Sequence, residues 1–83
     1  MEMYQVRIMN STSAGRTKIY DGNTTIADIM SDPEVSGLLV GATFAWNASV
    51  IDQNDFHKTL VELNATPDRI NVLCSMKAAN GNL

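Results

Sequence analysis

The sequence predicts an α+β domain in which a mixed β-sheet packs against one short helix. Segments near both ends of the chain alternate apolar and polar residues with the period of two that is typical of strands. Between them, residues 25–30 combine a hydroxyl N-cap with helically spaced apolar residues. The 83 residues, 45% of them apolar and 18% charged, suffice for one core. We therefore predict a single domain over residues 1–77 and a flexible C-terminal tail over residues 78–83.

The first two strands are predicted to form a hairpin. Tyr4, Val6 and Ile8 alternate with other residues, so that one face of strand one is buried. Residues 10–15 are turn formers, and extended character resumes at residues 16–20. The pattern indicates a six-residue polar loop between the strands. The second strand is an edge through which a homodimer or a partner peptide could pair.

The helix is predicted to begin at a capping box. Thr25 supplies the N-cap hydroxyl, and Asp28 follows three positions later. Pro33 then interrupts the apolar periodicity, because its ring disfavours helix at the preceding residues. Two outcomes stay open: one kinked helix, or a second short turn capped by Asp32 with Pro33 at its first position.

The middle of the chain predicts a third strand at residues 42–46, a turn at residues 47–49 and a short return strand at residues 50–51. Phe44 and Trp46 share one face of the third strand. We favour the core for both rings, and the alternative is an exposed face that acts as a binding hot spot. The candidate protein-binding surface is accordingly Phe44, Trp46, Met9 and Arg7.

The last strand is predicted to lie at the centre of the sheet. A short helical turn at residues 59–64 and a polar corner at residues 65–68 lead into residues 70–76. One face of this strand is wholly apolar, and Leu73 partly covers the other. We expect the apolar face to pack in the core, with Cys74 as a small hydrophobic side chain there.

Three short motifs and the order of the elements resemble ubiquitin and the sulfur carriers of thiamine and molybdopterin synthesis, over roughly residues 3–77. The sequence TTIADIM at residues 24–30 resembles the helix entry of the carriers, and TFAWNA at residues 43–48 resembles their strand and turn. The sequence TLVELN at residues 59–64 is similar to the Thr-Leu-x-x-Tyr-Asn turn of ubiquitin. The resemblance implies a ubiquitin-like β-grasp fold, in which a four- to five-stranded mixed sheet wraps one helix and its first and last strands pair in parallel.

In these families the chemistry resides in a C-terminal Gly-Gly whose carboxylate is adenylated. This chain has Gly81 alone, preceded by Asn80 and followed by two further residues. A processed modifier or sulfur carrier, attached through Gly81, is therefore the alternative function rather than the leading one.

The remaining composition favours a protein that binds without catalysis. His57 and Cys74 are the single histidine and the single cysteine, so we predict no catalytic residue, no metal and no cofactor. A scattered net charge of −3 argues against nucleic acid, and no segment has the ~20 apolar residues of a membrane helix. One cysteine indicates a cytoplasmic protein, since small secreted domains usually carry several disulfides.

The leading hypothesis is a small cytoplasmic module that binds a partner protein through its sheet face or edge, as a monomer or weak homodimer. A second alternative, beside the processed modifier, is a small acidic inhibitor of a host or phage enzyme.

Overall fold

The computed structural model describes residues 2–41 and 43–76. Its five strands are β1 (Met3–Asn10), β2 (Ser13–Asp21), β3 (Thr43–Trp46), β4 (Ser49–Ile51) and β5 (Ile70–Met76). The helix α1 (Ile26–Met30) follows β2, and 3₁₀ helices occupy Ser36–Leu38 and Gln53–His57. The α+β prediction is confirmed. None of these helices has the length and apolar character that crossing a membrane would need.

The sheet is mixed, with the strand order β2-β1-β5-β3-β4. β1 and β5 pair in parallel, and the other neighbouring strands pair antiparallel. β5 therefore lies at the centre, between β1 and β3, as its sequence predicted. The edges are β2, which is nine residues long, and β4, which is three.

The first hairpin is tighter than predicted. Asn10 pairs with Ser13, which leaves a loop of two residues instead of six. The side chain of Asn10 accepts a hydrogen bond from the backbone N–H of Thr12 at 2.9 Å and so closes the turn. Gly15 lies within β2 at φ +74°, where an added Cβ would stand 1.7 Å from the carbonyl oxygen of Ile8. The turn-forming residues thus serve a tight turn and a bulge inside the strand.

The capping box at Thr25 is present, with both reciprocal hydrogen bonds to Asp28. α1 ends at Met30, before the proline. Asp32 then accepts a hydrogen bond from the N–H of Glu34 at 3.0 Å through its Oδ1 atom. Of the two outcomes left open at Pro33, the structure has the second, a separate turn capped by Asp32.

The core lies between α1 and one face of the sheet. Phe44 and Trp46 belong to it, with exposed fractions of 7% and 4%, so the predicted preference for burial is correct. The indole N–H of Trp46 donates to the carbonyl of Leu63 at 2.9 Å, which satisfies its single donor. The fully buried apolar side chains are Val6, Ile8, Ile26, Ile29, Val35, Leu60 and Leu73.

The two faces of β5 are the reverse of the prediction. Leu73 lies in the core together with Asn71 and Ser75, which are each 1% exposed. The apolar residues of β5 point to the other face of the sheet, and the expectation that they form the core was wrong. The polar residues tolerate burial because they are hydrogen-bonded: Ser75 Oγ, for example, accepts from the N–H of Gly41 at 2.6 Å. The residues of β5 that leave the core are Ile70, Val72, Cys74 and Met76.

Asn71 fills its hydrogen-bonding capacity with partners from three segments, two of them distant in sequence. Its Nδ2 atom donates to the carbonyls of Gln5 and Thr66 at 3.1 and 3.0 Å. Its Oδ1 atom accepts from the N–H of Thr66 at 2.8 Å and from Asn47 Nδ2 at 3.0 Å. The side chain thereby ties β1, the β3–β4 turn and the corner before β5 together.

Candidate functional site

The sheet face turned away from α1, here called the open face, carries the candidate site. β1, β2 and β5 contribute alternate residues to it, and Val50 of β4 stands opposite Ala45 of β3. Val50 is 70% exposed, and Ile19 and Ile70 are also exposed. The open face comprises Met3, Gln5, Arg7, Met9, Thr17, Ile19, Asp21, Thr43, Ala45, Val50, Ile70, Val72, Cys74 and Met76.

An apolar groove of about 530 Å³ lies on the open face above β5. Ala45 and Cys74 face each other across β3 and β5, and Met9 is the partner of Cys74 on β1. Small side chains at the centre with larger ones around them produce the depression. The residues that line the groove are Met9, Ala45, Asn47, Ala48, Val50, Val72, Cys74 and Met76.

Among the described residues, two charged side chains belong to the open face. Arg7 pairs with Val72 in the parallel register, and its Nη1 atom donates to the carbonyl of Ala14 at 2.8 Å. That hydrogen bond turns the guanidinium towards β2, on the side of β1 away from the groove, and Arg7 does not line the groove. Asp21 pairs with Met3 at the far end of β1. The groove itself is therefore apolar, and Arg7 is the register neighbour of one of its lining residues, Val72.

The turn between β3 and β4 forms the rim of the groove. Asn47 and Ala48 both have positive φ, at 49° and 72°. This is the two-residue hairpin geometry that favours Asn-Gly. Oδ1 of Asn47 accepts from the backbone N–H of Val72 at 2.8 Å, and the backbone N–H of Asn47 donates to the Val72 carbonyl at 2.9 Å. The turn is thus held against β5 although Ala48 takes a backbone conformation that suits glycine.

The structure divides the residues predicted for a protein-binding surface into two groups. Met9 and Arg7 lie on the open face, at the groove and beside it. Phe44 and Trp46 lie in the core, so their rings are not available as a docking surface. Gly81, the predicted attachment point for the alternative function, lies outside the described residues.

Sequence reasoning missed the groove because it assigned the apolar residues of β5 to the core. The placement of Phe44 and Trp46 in the core could have indicated which face of β5 is exposed. If both rings face α1, the antiparallel register places Leu73 and Ser75 on the same side. The apolar alternation of β5 must then point outward.

A second cleft, of about 550 Å³, lies beside Trp46 and is lined by polar and apolar surface in similar amounts. Asp55 Oδ1 and Lys58 Nζ form an ion pair there at 3.0 Å. The hydrogen bond between them lowers the pKa of Asp55 and raises that of Lys58. Among the described residues no buried side-chain nitrogen or oxygen lacks a partner, and no three His, Cys, Asp or Glu residues converge. The cleft holds an ion pair, and none of its buried side-chain groups lacks a hydrogen-bond partner.

A further polar cluster joins β2 to the segment after α1. Asp32 Oδ2 accepts from Lys18 Nζ at 2.5 Å and from the Tyr20 hydroxyl at 2.9 Å. The Lys18 hydrogen bond, with that from the Glu34 backbone, lowers the pKa of Asp32 to about 2. Burial, aided by Asp32, raises the pKa of Tyr20. Each of these groups has a partner, so the cluster stabilises the contact between β2 and the segment after α1.

Comparisons with known proteins leave function to be argued from the open face. A scan against protein-family models matches no family, and neither the curated proteins nor the solved structures contain a match. Of the features described above, the apolar groove is the one that the stability of the fold does not explain, so it is the best candidate for a binding site.

Proposed function

We propose that this chain is a ubiquitin-like β-grasp domain that acts as a non-catalytic protein-binding module, docking its partner on the open face. The strand order β2-β1-β5-β3-β4 with its parallel β1–β5 pair supports the fold, since this is the arrangement implied by the resemblance. A capped helix between β2 and β3 adds to that support.

The exposed apolar groove is the observation that carries the proposed function. Monomeric proteins rarely expose contiguous apolar patches larger than a few hundred Å², and larger patches mark interaction sites. Beyond the groove, the open face also exposes Ile19 and Ile70, which extend its apolar surface. Here the groove contains almost no polar surface, and two of its walls are methionines. Flexible thioether side chains adapt to different partner shapes, as methionine-rich binding surfaces do.

The charge distribution favours a partner protein that presents apolar side chains next to a carboxylate. Arg7 is the charged open-face side chain that neighbours a groove residue, Val72, and a partner Asp or Glu would pair with it once the guanidinium turns from the Ala14 carbonyl towards the groove. A second copy of this chain fits less well. Two copies, each with a net charge of −3, repel each other.

Two exposed valines provide a matched test. Val50 lines the groove, whereas Val40, with a similar exposed fraction of 75% against 70%, lies beside the β1–β2 turn. In cells that naturally make the protein, in-cell crosslinking followed by mass spectrometry identifies the partner captured by the wild type. Val50→Asp is expected to lower the affinity for the purified partner at least about tenfold, because an unpaired charge in the groove costs at least ~1.4 kcal/mol. Val40→Asp is expected to bind as the wild type does.

Equal binding by the two aspartate variants would contradict docking on the open face. Thermal unfolding of both variants checks that the charge has not disrupted the fold. Analytical ultracentrifugation of the purified wild type tests whether the groove is covered by a second copy of the chain. A dimer that Val50→Asp dissociates would overturn the proposal of a different partner protein.

A further inference from the structure

The sulfur-bearing side chains are unevenly distributed between the two faces of the sheet. The described residues contain Met30 on α1, and the other four such side chains lie on the open face. Three of these line the apolar groove: Met9, Cys74 and Met76. Adaptable methionines suit protein docking, but docking does not account for a thiol placed next to two of them, so this grouping calls for a separate explanation.

The sheet register places the three sulfur side chains as neighbours. Met9 and Cys74 are paired residues on adjacent parallel strands, whose backbones run about 4.8 Å apart. Met76 follows Cys74 by two residues on the same face, about 6.7 Å further along the strand. Methionine has three rotatable bonds that can bring its sulfur over the thiol. Ala45, the partner of Cys74 on β3, adds only a methyl group beside it, and the thiol makes one long hydrogen bond, to the Ser75 carbonyl at 3.8 Å.

A thiol and two thioethers are the ligands of a soft cation. Thiolate and thioether sulfur select Cu(I), whereas Mg²⁺, Ca²⁺ and Mn²⁺ prefer carboxylate and carbonyl oxygen. The amide of Asn47 is the only other side-chain donor among the lining residues, and none of them carries a carboxylate or an imidazole. The donor set therefore discriminates against hard divalent cations.

Charge balance supports a monovalent cation in particular. Binding follows R–SH + Cu⁺ → R–S–Cu + H⁺, in which the thiol proton is released to water and no electron is transferred. The thiolate and the cation cancel, and the thioethers are neutral. The resulting site carries no net charge, so its placement in an apolar groove avoids the penalty for an uncompensated charge.

We propose that Met9, Cys74 and Met76 form a binding site for a soft monovalent cation, with Cu(I) as the physiological candidate. The site does not depend on the protein-binding function. It needs only the purified chain for its test.

Competition with a chromophoric Cu(I) chelator under anaerobic, reducing conditions measures the affinity. The wild type is expected to bind one Cu(I). Cys74→Ser is expected to weaken binding at least about 100-fold, since even outer-shell partners of metal sites contribute 10–100-fold. The Met9→Leu/Met76→Leu double variant should weaken it about tenfold, and leucine keeps the side-chain volume. Met3→Leu is the matched control, because Met3 lies on β1 and the open face but away from the groove.

Silver(I), which is soft and resists oxidation, provides a structural readout by NMR. The ε-methyl signals of Met9 and Met76 are expected to shift at one equivalent of Ag(I), while those of Met3 and Met30 stay in place. Zn(II) at the same concentration should leave all four unchanged.

Three results would overturn the metal site. The first is wild-type affinity in the Met9→Leu/Met76→Leu variant, which would mean that the cysteine alone captures the ion. The second is wild-type affinity in Cys74→Ser. The third is the absence of stoichiometric binding by the wild type. Thermal unfolding of each metal-free variant confirms that a loss of binding comes from a lost ligand and not from a lost fold.

Discussion

On one face of β5, Asn71 and Ser75 lie in the core at 1% exposure, whereas on the other face Val72, Cys74 and Met76 are only partly buried. The polar pair tolerates burial because its side-chain nitrogen and oxygen atoms all have hydrogen-bond partners. The apolar set lies outside, on a groove. The difference shows that side-chain polarity alone does not tell which face of a central strand is buried, because hydrogen-bonded polar residues can occupy the core face beside Leu73.

The largest expected effect comes from truncating one residue on each face of β5 and comparing the losses of stability. Leu73→Ala removes a fully buried side chain and is expected to lower the free energy of unfolding by about 4 kcal/mol, because a cavity remains. Val72→Ala, one residue earlier and on the open face, should lower it by less than about 1 kcal/mol, since its side chain is already partly exposed. Urea unfolding measures both.

Equal losses for these two variants would mean that both faces are packed. If Leu73→Ala does not fold, Leu73→Val is the milder substitute, and its loss should still exceed that of Val72→Ala.

Substitution of the buried Asn71 tests whether its hydrogen bonds keep the polar face of β5 in the core. Asn71→Ala leaves the backbone groups of Gln5 and Thr66 unpaired and is expected to cost about 3 kcal/mol in the free energy of unfolding. Asn71→Leu, of similar volume, should not restore stability, because the same groups remain unpaired. A leucine variant more stable than the wild type would refute the role of the hydrogen bonds. Chemical denaturation of the three proteins decides between these outcomes.

Glycine at the rim of the groove is expected to stabilise the protein. Ala48 has φ 72°, and Ala48→Gly removes a steric penalty of about 1 kcal/mol from the turn. The midpoint of thermal unfolding should rise. Gly15→Ala is the matched opposite, because its added Cβ would meet the Ile8 carbonyl, and the midpoint should fall. A drop on Ala48→Gly would show that the Ala48 methyl makes contacts that outweigh the backbone penalty.

The smallest effect is expected at the Asp32 cluster, away from both faces of β5. The pKa of Asp32 is lowered from 3.8 to about 2, chiefly by Lys18. A lowered folded-state pKa contributes stability above the unfolded pKa, and this is lost as the pH falls through the folded pKa. Asp32→Asn should therefore be less stable than the wild type at pH 7, and the difference should disappear between pH 4 and pH 2. Thermal unfolding across that range checks it, with the exposed Asp68→Asn as control.

A difference between wild type and Asp32→Asn that persists unchanged at pH 2 would contradict the ionic origin. It would indicate that the asparagine disrupts the turn at Pro33 by another route.

Much of the local structure could be predicted because its causes lie within a few residues. The Thr25 capping box spans three positions, and the bounds of β5 follow from its own alternation. The first hairpin could not be predicted in detail. Residues 10–15 form a favourable loop on composition alone, and only their pairing with β1 converts them into a two-residue turn and a bulge at Gly15.

The candidate site was predicted only in part. Arg7 and Met9 lie on the face opposite the core, as the alternation of strand one predicted, and their part in binding stays a prediction. The alternation of β5 was recognised as well, but its orientation was not. The groove therefore remained hidden, together with Val50, Val72 and Met76.

By itself the sequence determined the order and kind of the elements, the start of the helix and the central character of β5, since caps and periodicity act over short distances. The tertiary structure alone decided which face of β5 lies inside. That choice depends on partners far away in the chain: Asn71 is bonded to Gln5 across 66 residues, and Ser75 to Gly41 across 34. A periodic pattern specifies that a strand has two faces, but only the groups brought together by folding determine which of them is buried.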